Sequence, residues 1–179
     1  AHCFWTRGAE QLRALLSLAC LLMTFCVPQA GGAEAQPQPT QTTKTSQEFF
    51  QDPTVRTFQF EISHEGMASL RRMPREYVRG TMREGSRVLT NVGFHLKGMG
   101  SFRTVDEKAS FAVKFDEFTK DQEYAGLTKL MFNNAVQDPT YLAEWLATSL
   151  FRDAGVPAAL VTHARAQLNG KDLGLYVVI

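Results

Sequence analysis

The sequence predicts an α+β fold, an antiparallel sheet with one main helix, and three observations carry that expectation. Apolar and polar residues alternate with a period of two in several short runs, the pattern of half-buried strands. Tight-turn signals, Glu84-Gly85-Ser86 and Asn169-Gly170, join pairs of those runs. One longer stretch, from Pro139 to about Ala154, has helical spacing with a cap before it and a glycine after it. Strands, then a helix, then strands, with short connections and no internal repeat, give a sheet with a helix packed on it.

Phe58, Phe60 and Ile62 alternate with Gln59 and Glu61 and open the sheet. Ser63 can cap a short helix running to about Met73, where Pro74 stops it. Two strands, 77–83 and 87–97, flank the Glu84-Gly85-Ser86 turn. In the second, Val92, Phe94 and Leu96 share one face, while Asn91, Gly93, His95 and Lys97 share the other. The alternation returns from Ser110 to Asp116, with Phe111, Val113 and Phe115 pointing inward.

For the main helix, Asp138 is the N-cap, Pro139 occupies a first-turn position that tolerates proline, and Gly155 supplies the stop. Its expected buried stripe is Leu142, Trp145, Leu146, Ser149 and Leu150, with Glu144, Thr148 and Arg152 on other faces. Two last strands, about 160–168 and 173–179, follow Pro157.

The chain has 179 residues, enough for one ordinary domain, and its 44% apolar and 21% charged residues suit a packed core. Nineteen basic against 18 acidic residues give a net charge of +1, which argues against nucleic acid as a partner. No uncharged apolar run is long enough to span a membrane. Leu12 to Val27 is an apolar stretch behind Arg7 and Arg13, followed by the small-residue site Ala33-Glu34-Ala35. Together these read as a secretory signal peptide over residues 1–35, with possible upstream extension, and place the protein outside the cell or in its envelope, periplasmic or extracellular. A buried N-terminal helix is the alternative. Cys3, Cys20 and Cys26 all fall in this segment, so the folded part carries neither a disulfide framework nor a cysteine metal site. Residues 36–47 contain nothing apolar, cannot offset their ordering entropy and read as a flexible linker. The folded portion is then 48–179, and its end within the apolar run Leu175 to Ile179 reads as a C-terminal truncation.

The chemically dense stretch is Lys97-Gly98-Met99-Gly100-Ser101-Phe102-Arg103, followed by Lys108 and Lys114. Glycines let a backbone approach a bulky anion, and exposed N–H groups with a lysine can hold phosphates. A plain loop between strands reads the same way. A glycine loop, a strand lysine and a helix glutamate, here Glu144, are parts of a kinase-like nucleotide lobe. Two unrelated surface charges are the alternative for Lys114 and Glu144. His64, His95 and His163 share no metal-ligand spacing, so no metal site is expected in this chain.

Several segments resemble the CotH (spore coat protein H) kinase family: Asn91 to Arg103, Lys108 to Asp116, Gly126 to Leu130, Asp138 to Glu144, Leu150 to Pro157 and Asn169 to Tyr176. The resemblance runs in a single order over roughly residues 55–179. It implies an exported atypical protein kinase that transfers the γ-phosphoryl of ATP, with Mg or Mn, to serines of a coat or envelope protein. The non-catalytic alternative within the family is a surface assembly or adhesion module. By the same resemblance the chain is the N-terminal lobe of an atypical kinase-like fold. Lys97, Gly98, Gly100, Ser101 and Arg103 would then form the phosphate-covering loop. Lys114 would contact phosphate with Lys108 as its rival, and Glu144 would orient whichever lysine is used. Catalytic aspartates would lie downstream of Ile179. Asp116 and Asp138 do not replace them, because the first ends a strand and the second caps a helix.

Overall fold

Alternation along the chain decides which side chains enter the interior, and in the computed structural model, which describes residues 44–179, it does so in seven strands. They are β1 (Arg56–Ile62), β2 (Val78–Glu84), β3 (Arg87–Lys97), β4 (Ser110–Lys114), β5 (Lys129–Asn133), β6 (Thr162–Leu168) and β7 (Lys171–Val178). Three short helices accompany them: α1 (Lys44–Gln51), α2 (His64–Arg72) and α3 (Ala143–Asp153). The predicted signal peptide and residues 36–43 of the predicted linker lie outside the described residues. The linker's last four residues belong to α1, which is tied down by Phe49, buried edge-on against Tyr124 at 5.6 Å.

The strands close into a barrel in the order β1-β2-β3-β4-β5-β7-β6. Neighbours pair antiparallel except at the seam, where β1 and β6 run parallel from Arg56↔Ala164 to Phe60↔Leu168. The expectation of an open α+β sheet with one main helix, like the N-terminal lobe of a kinase, is therefore corrected: the fold is a closed, mostly β barrel with three short helices. Period-two alternation marks the inward face of a strand but says nothing about which distant strands pair, and closure rests on β1–β6 and β5–β7. Among the described residues, closure also leaves no free sheet edge.

The interior is aromatic. Phe111 stacks on Phe94 and Phe132 at 4.5 and 4.7 Å, and meets Phe60 edge-on at 5.2 Å. Phe58, Met82, Val113, Leu130, Tyr176 and Val178 fill the space around them, all fully buried.

Most predicted local elements are present. Gly85 and Ser86 make the two-residue turn between the paired Glu84 and Arg87. Asn169 and Gly170, at φ 49° and 80°, make the turn between Leu168 and Lys171, both positive as a type I′ turn requires. The Ser63 hydroxyl accepts from the Gly66 amide and caps α2.

The main helix differs from expectation in two ways. It begins at Ala143 rather than Pro139, because Tyr141 sits at φ 60°, outside helical geometry. Asp138 still caps it from a distance, one carboxylate oxygen accepting from the Ala143 amide at 2.8 Å and the other from the Thr140 amide at 3.1 Å. Nor is its apolar stripe buried: Leu142, Trp145, Leu146 and Leu150 are 54%, 44%, 52% and 60% exposed.

Asn169 also closes the seam. Its side-chain oxygen accepts from the Ile62 amide at 2.8 Å, its amide nitrogen donates to the Ile62 carbonyl at 3.0 Å, and its backbone N–H donates to the Phe60 carbonyl at 2.8 Å. Asn169→Gly keeps the turn and removes the side-chain clamp, so we expect a loss of about 1–2 kcal/mol in urea unfolding, with the native-state far-UV spectrum unchanged. An unchanged midpoint would show that the clamp carries nothing.

Burial pushes the Tyr124 phenol up to about 12, and the nearby Glu84 carboxylate acts in the same direction. Burial raises the Tyr176 phenol as well. A folded-state pKa above the unfolded value means a stability contribution that is complete below about pH 10 and lost as pH rises toward the folded value. Alkaline titration followed by tyrosinate absorbance should show these two phenols ionising together with unfolding. Ordinary titration of all four tyrosines in a still-folded chain would contradict the buried placement.

Candidate functional site

The outer face of β3, β4 and β5 carries the polar residues that alternation excludes from the core. Strand register arranges them in rows: Lys97 lies opposite Ser110, His95 opposite Ala112, Gly93 opposite Lys114, and Lys114 opposite Lys129. Like charges directly opposite one another across strands are unfavourable, and at the Lys114–Lys129 row the Glu117 and Asp116 carboxylates lie close to the Lys114 ammonium. His95 stands on the same face. Burial does most to hold its ring below the usual histidine range, and Lys129, Arg75 and Lys97 push the same way against a bond to the Leu96 carbonyl.

At one end of this face is a pocket of about 280 Å³ lined by Lys97, Gly98, Ser101, Asn133, Asn134 and Glu144, among others. The Lys97 ammonium donates to the Asn133 side-chain oxygen, and the Asn133 amide donates in turn to Glu144 Oε2 at 2.7 Å. Strand lysine and helix glutamate thus meet through an asparagine. Burial lowers the pKa of Lys97, with the Glu144 carboxylate opposing that shift and Lys129 adding to it. The amine is therefore partly desolvated, a state that favours an incoming anion.

The loop after β3 borders this pocket. Gly98 stands at φ 111°, where a Cβ would come within 3.1 Å of the Phe102 nitrogen, so the position demands glycine. Arg75 donates to the Gly98 carbonyl and lies over the Phe102 ring at 5.4 Å. Asn134, 2% exposed, joins both ends of the loop: its amide donates to the Ser101 carbonyl at 3.0 Å and the Lys108 carbonyl at 2.9 Å. Its backbone N–H donates to the Ser110 hydroxyl at 2.9 Å.

Of the residues singled out from sequence, Lys97, Gly98, Ser101 and Glu144 converge on the pocket. A Cβ on Gly100 would stand 3.6 Å from the Gln137 side chain, beside the same opening. Arg103 turns back to the Phe102 carbonyl at 2.7 Å. Lys114 is on the same outer face but bonds Glu117 at 2.8 Å, with Asp116 at 3.9 Å. Lys108 precedes β4 and donates to the Tyr141 hydroxyl at 2.7 Å. Neither rival lysine therefore makes the Glu144 contact. Asn133 and Asn134, which organise the pocket, went unread because β5 itself, Lys129–Asn133, is too short and too mixed to stand out by alternation.

Among the described residues no group of three or more His, Cys, Asp or Glu side chains could hold a metal ion. No helix among them is long and apolar enough to cross a membrane. No curated protein matches the chain. A protein-family model does: the one described as CotH kinase protein matches residues 94–179, the stretch from the second half of β3 through β7 that contains the loop, both asparagines and Glu144. This part of the chain, just under half of it, is thus similar to the CotH kinase family.

Proposed function

We propose that the protein is an exported CotH-type kinase acting on protein serines, and that the pocket beside Lys97 receives the phosphates of ATP. The observation that carries this reading is the Lys97–Asn133–Glu144 relay at the mouth of a glycine loop. Bound ATP, with Mg or Mn, would supply the phosphoryl group. The pocket is near the small end of ligand sites, which run from about 300 Å³ upward, and so suits a phosphate chain better than a whole nucleotide.

Lys97 presents a partly desolvated positive charge to that chain, and such a charge acts more strongly than one in bulk water. Glu144, through Asn133, fixes where the ammonium sits. Gly98 lets the backbone turn close to the anion without a side chain in the way. Lys129 adds a further positive charge on the same outer face.

A second reading, a non-catalytic coat, envelope or adhesion module, draws on one observation. The apolar residues of α3 that face solvent, Trp145, Leu146, Leu150 and Phe151, form a surface suited to a protein partner.

Thermal melting with and without ATP and Mg separates the two. We expect nucleotide to raise the melting temperature of the wild-type chain and to have no effect on Lys97→Met. Lys114→Ala should retain most of the shift, since Lys114 is already engaged by Glu117. A full shift in Lys97→Met would overturn the assignment of the phosphate-binding lysine. A shift absent in every form would favour the non-catalytic module.

A further inference from the structure

Helix α3 has no buried side chain, so hydrophobic packing does not decide where its first turn lies. Glu144, which sits in that turn, is placed by polar ties instead. Asp138 holds the Ala143 amide. Further ties meet at Tyr141, three positions before Glu144. Its hydroxyl accepts from the Lys108 ammonium at 2.7 Å, and that ammonium also lies 4.8 Å from the Tyr141 ring centre and 5.1 Å from that of Tyr176. Its carbonyl is 2.7 Å from His163 Nε2, which must carry the proton to donate there. Tyr141 itself is held at φ 60°, a backbone state that a non-glycine residue keeps only when its surroundings enforce it. Tyr176 is fully buried and donates to the Ala109 carbonyl at 2.9 Å, so the strut is footed on the barrel core.

We propose that Lys108, Tyr141 and His163 are positioning residues: they form a strut between barrel and helix that sets Glu144 against Asn133, and through it holds Lys97. The inference gives Lys108 a role different from phosphate contact, and it rests on the Lys97 pocket of the proposed function.

Two readouts on the whole chain test it. In the first, ATP·Mg affinity is measured for Lys108→Met, Lys108→Arg, Tyr141→Phe, Glu144→Gln and the Tyr141→Phe/Glu144→Gln double variant. Lys108→Met and Tyr141→Phe should each weaken binding about tenfold, as loss of a supporting partner does, whereas Lys108→Arg keeps the bond and the ring contact and binds as wild type. The double variant should bind no worse than Glu144→Gln alone, because both changes break the same relay. Unchanged affinity in Lys108→Met and Tyr141→Phe, or losses that add to that of Glu144→Gln, would overturn the strut.

The second readout needs no nucleotide. The rate at which an amine-selective acylating reagent modifies Lys97, followed by mass spectrometry, reports the charge state of its amine. Releasing Glu144 removes the carboxylate that favours the ammonium, so Glu144→Gln, Lys108→Met and Tyr141→Phe should all label Lys97 faster and by similar factors. Should ATP fail to bind even the wild-type chain, the functional reading falls and the strut is judged on this rate alone. Acceleration in Glu144→Gln but not in the other two would overturn it.

Discussion

Where β1 meets β6 decides what the rest of the barrel can do. The two strands are about a hundred residues apart in sequence, run parallel, and are locked in register by Asn169 reaching across to both backbone groups of Ile62. Closure at this seam encloses the stacked rings of Phe94, Phe111 and Phe132 with Phe60 set against them. A one-residue slip in any strand would turn its aromatic side chains outward. The same register fixes the outer face: with Phe94, Leu96, Phe111 and Val113 committed inward, His95, Lys97 and Lys114 must point out. The outer polar face and the Lys97 pocket are thus the complement of the core.

The pocket is built from two kinds of material. Its lysine and asparagines stand on barrel strands, or directly after one, whose inner faces are fully packed, so their backbones are held rigidly. Its glutamate stands on a helix whose apolar residues are largely in water. Glu144 is consequently the adjustable member, kept in place by Asp138, by Tyr141 and by Asn133 itself. A site assembled this way can be tuned by changing the helix position without disturbing the barrel, and elements held by few buried contacts are the ones that open first.

Much of the local structure was legible in the sequence. Phe58, Phe60 and Ile62, or Phe111, Val113 and Phe115, state their strand and its inward face directly, and all six are buried. Ser63, Gly85 and the Asn169-Gly170 pair announce a cap and two turns by their side-chain chemistry. Closure was not legible, because alternation in β1 carries no information about β6. The exposure of α3 was also hidden, since Leu142, Trp145, Leu146 and Leu150 have the spacing of a buried stripe whether or not anything covers them. Of the residues that line the pocket, Lys97, Gly98, Ser101 and Glu144 stood out by type and order. The connection of Lys97 to Glu144 through Asn133 did not, for an asparagine becomes informative only once the strand that carries it is placed. Order along the chain shows that Lys108, Lys114 and Glu144 are charged, and not that Lys108 bonds Tyr141 and Lys114 bonds Glu117.

A closed barrel, fixed at the β1–β6 seam, holds the lysine face and the pocket in place. Amide hydrogen exchange resolved along the chain tests it most directly. Peptides covering Phe58–Phe60 in β1 and Ala164–Leu168 in β6 should exchange as slowly as those covering Phe111–Val113 in β4, all opening in one cooperative step. Rapid exchange across β6 while β3 and β4 stay protected would mean an open sheet, and would contradict it.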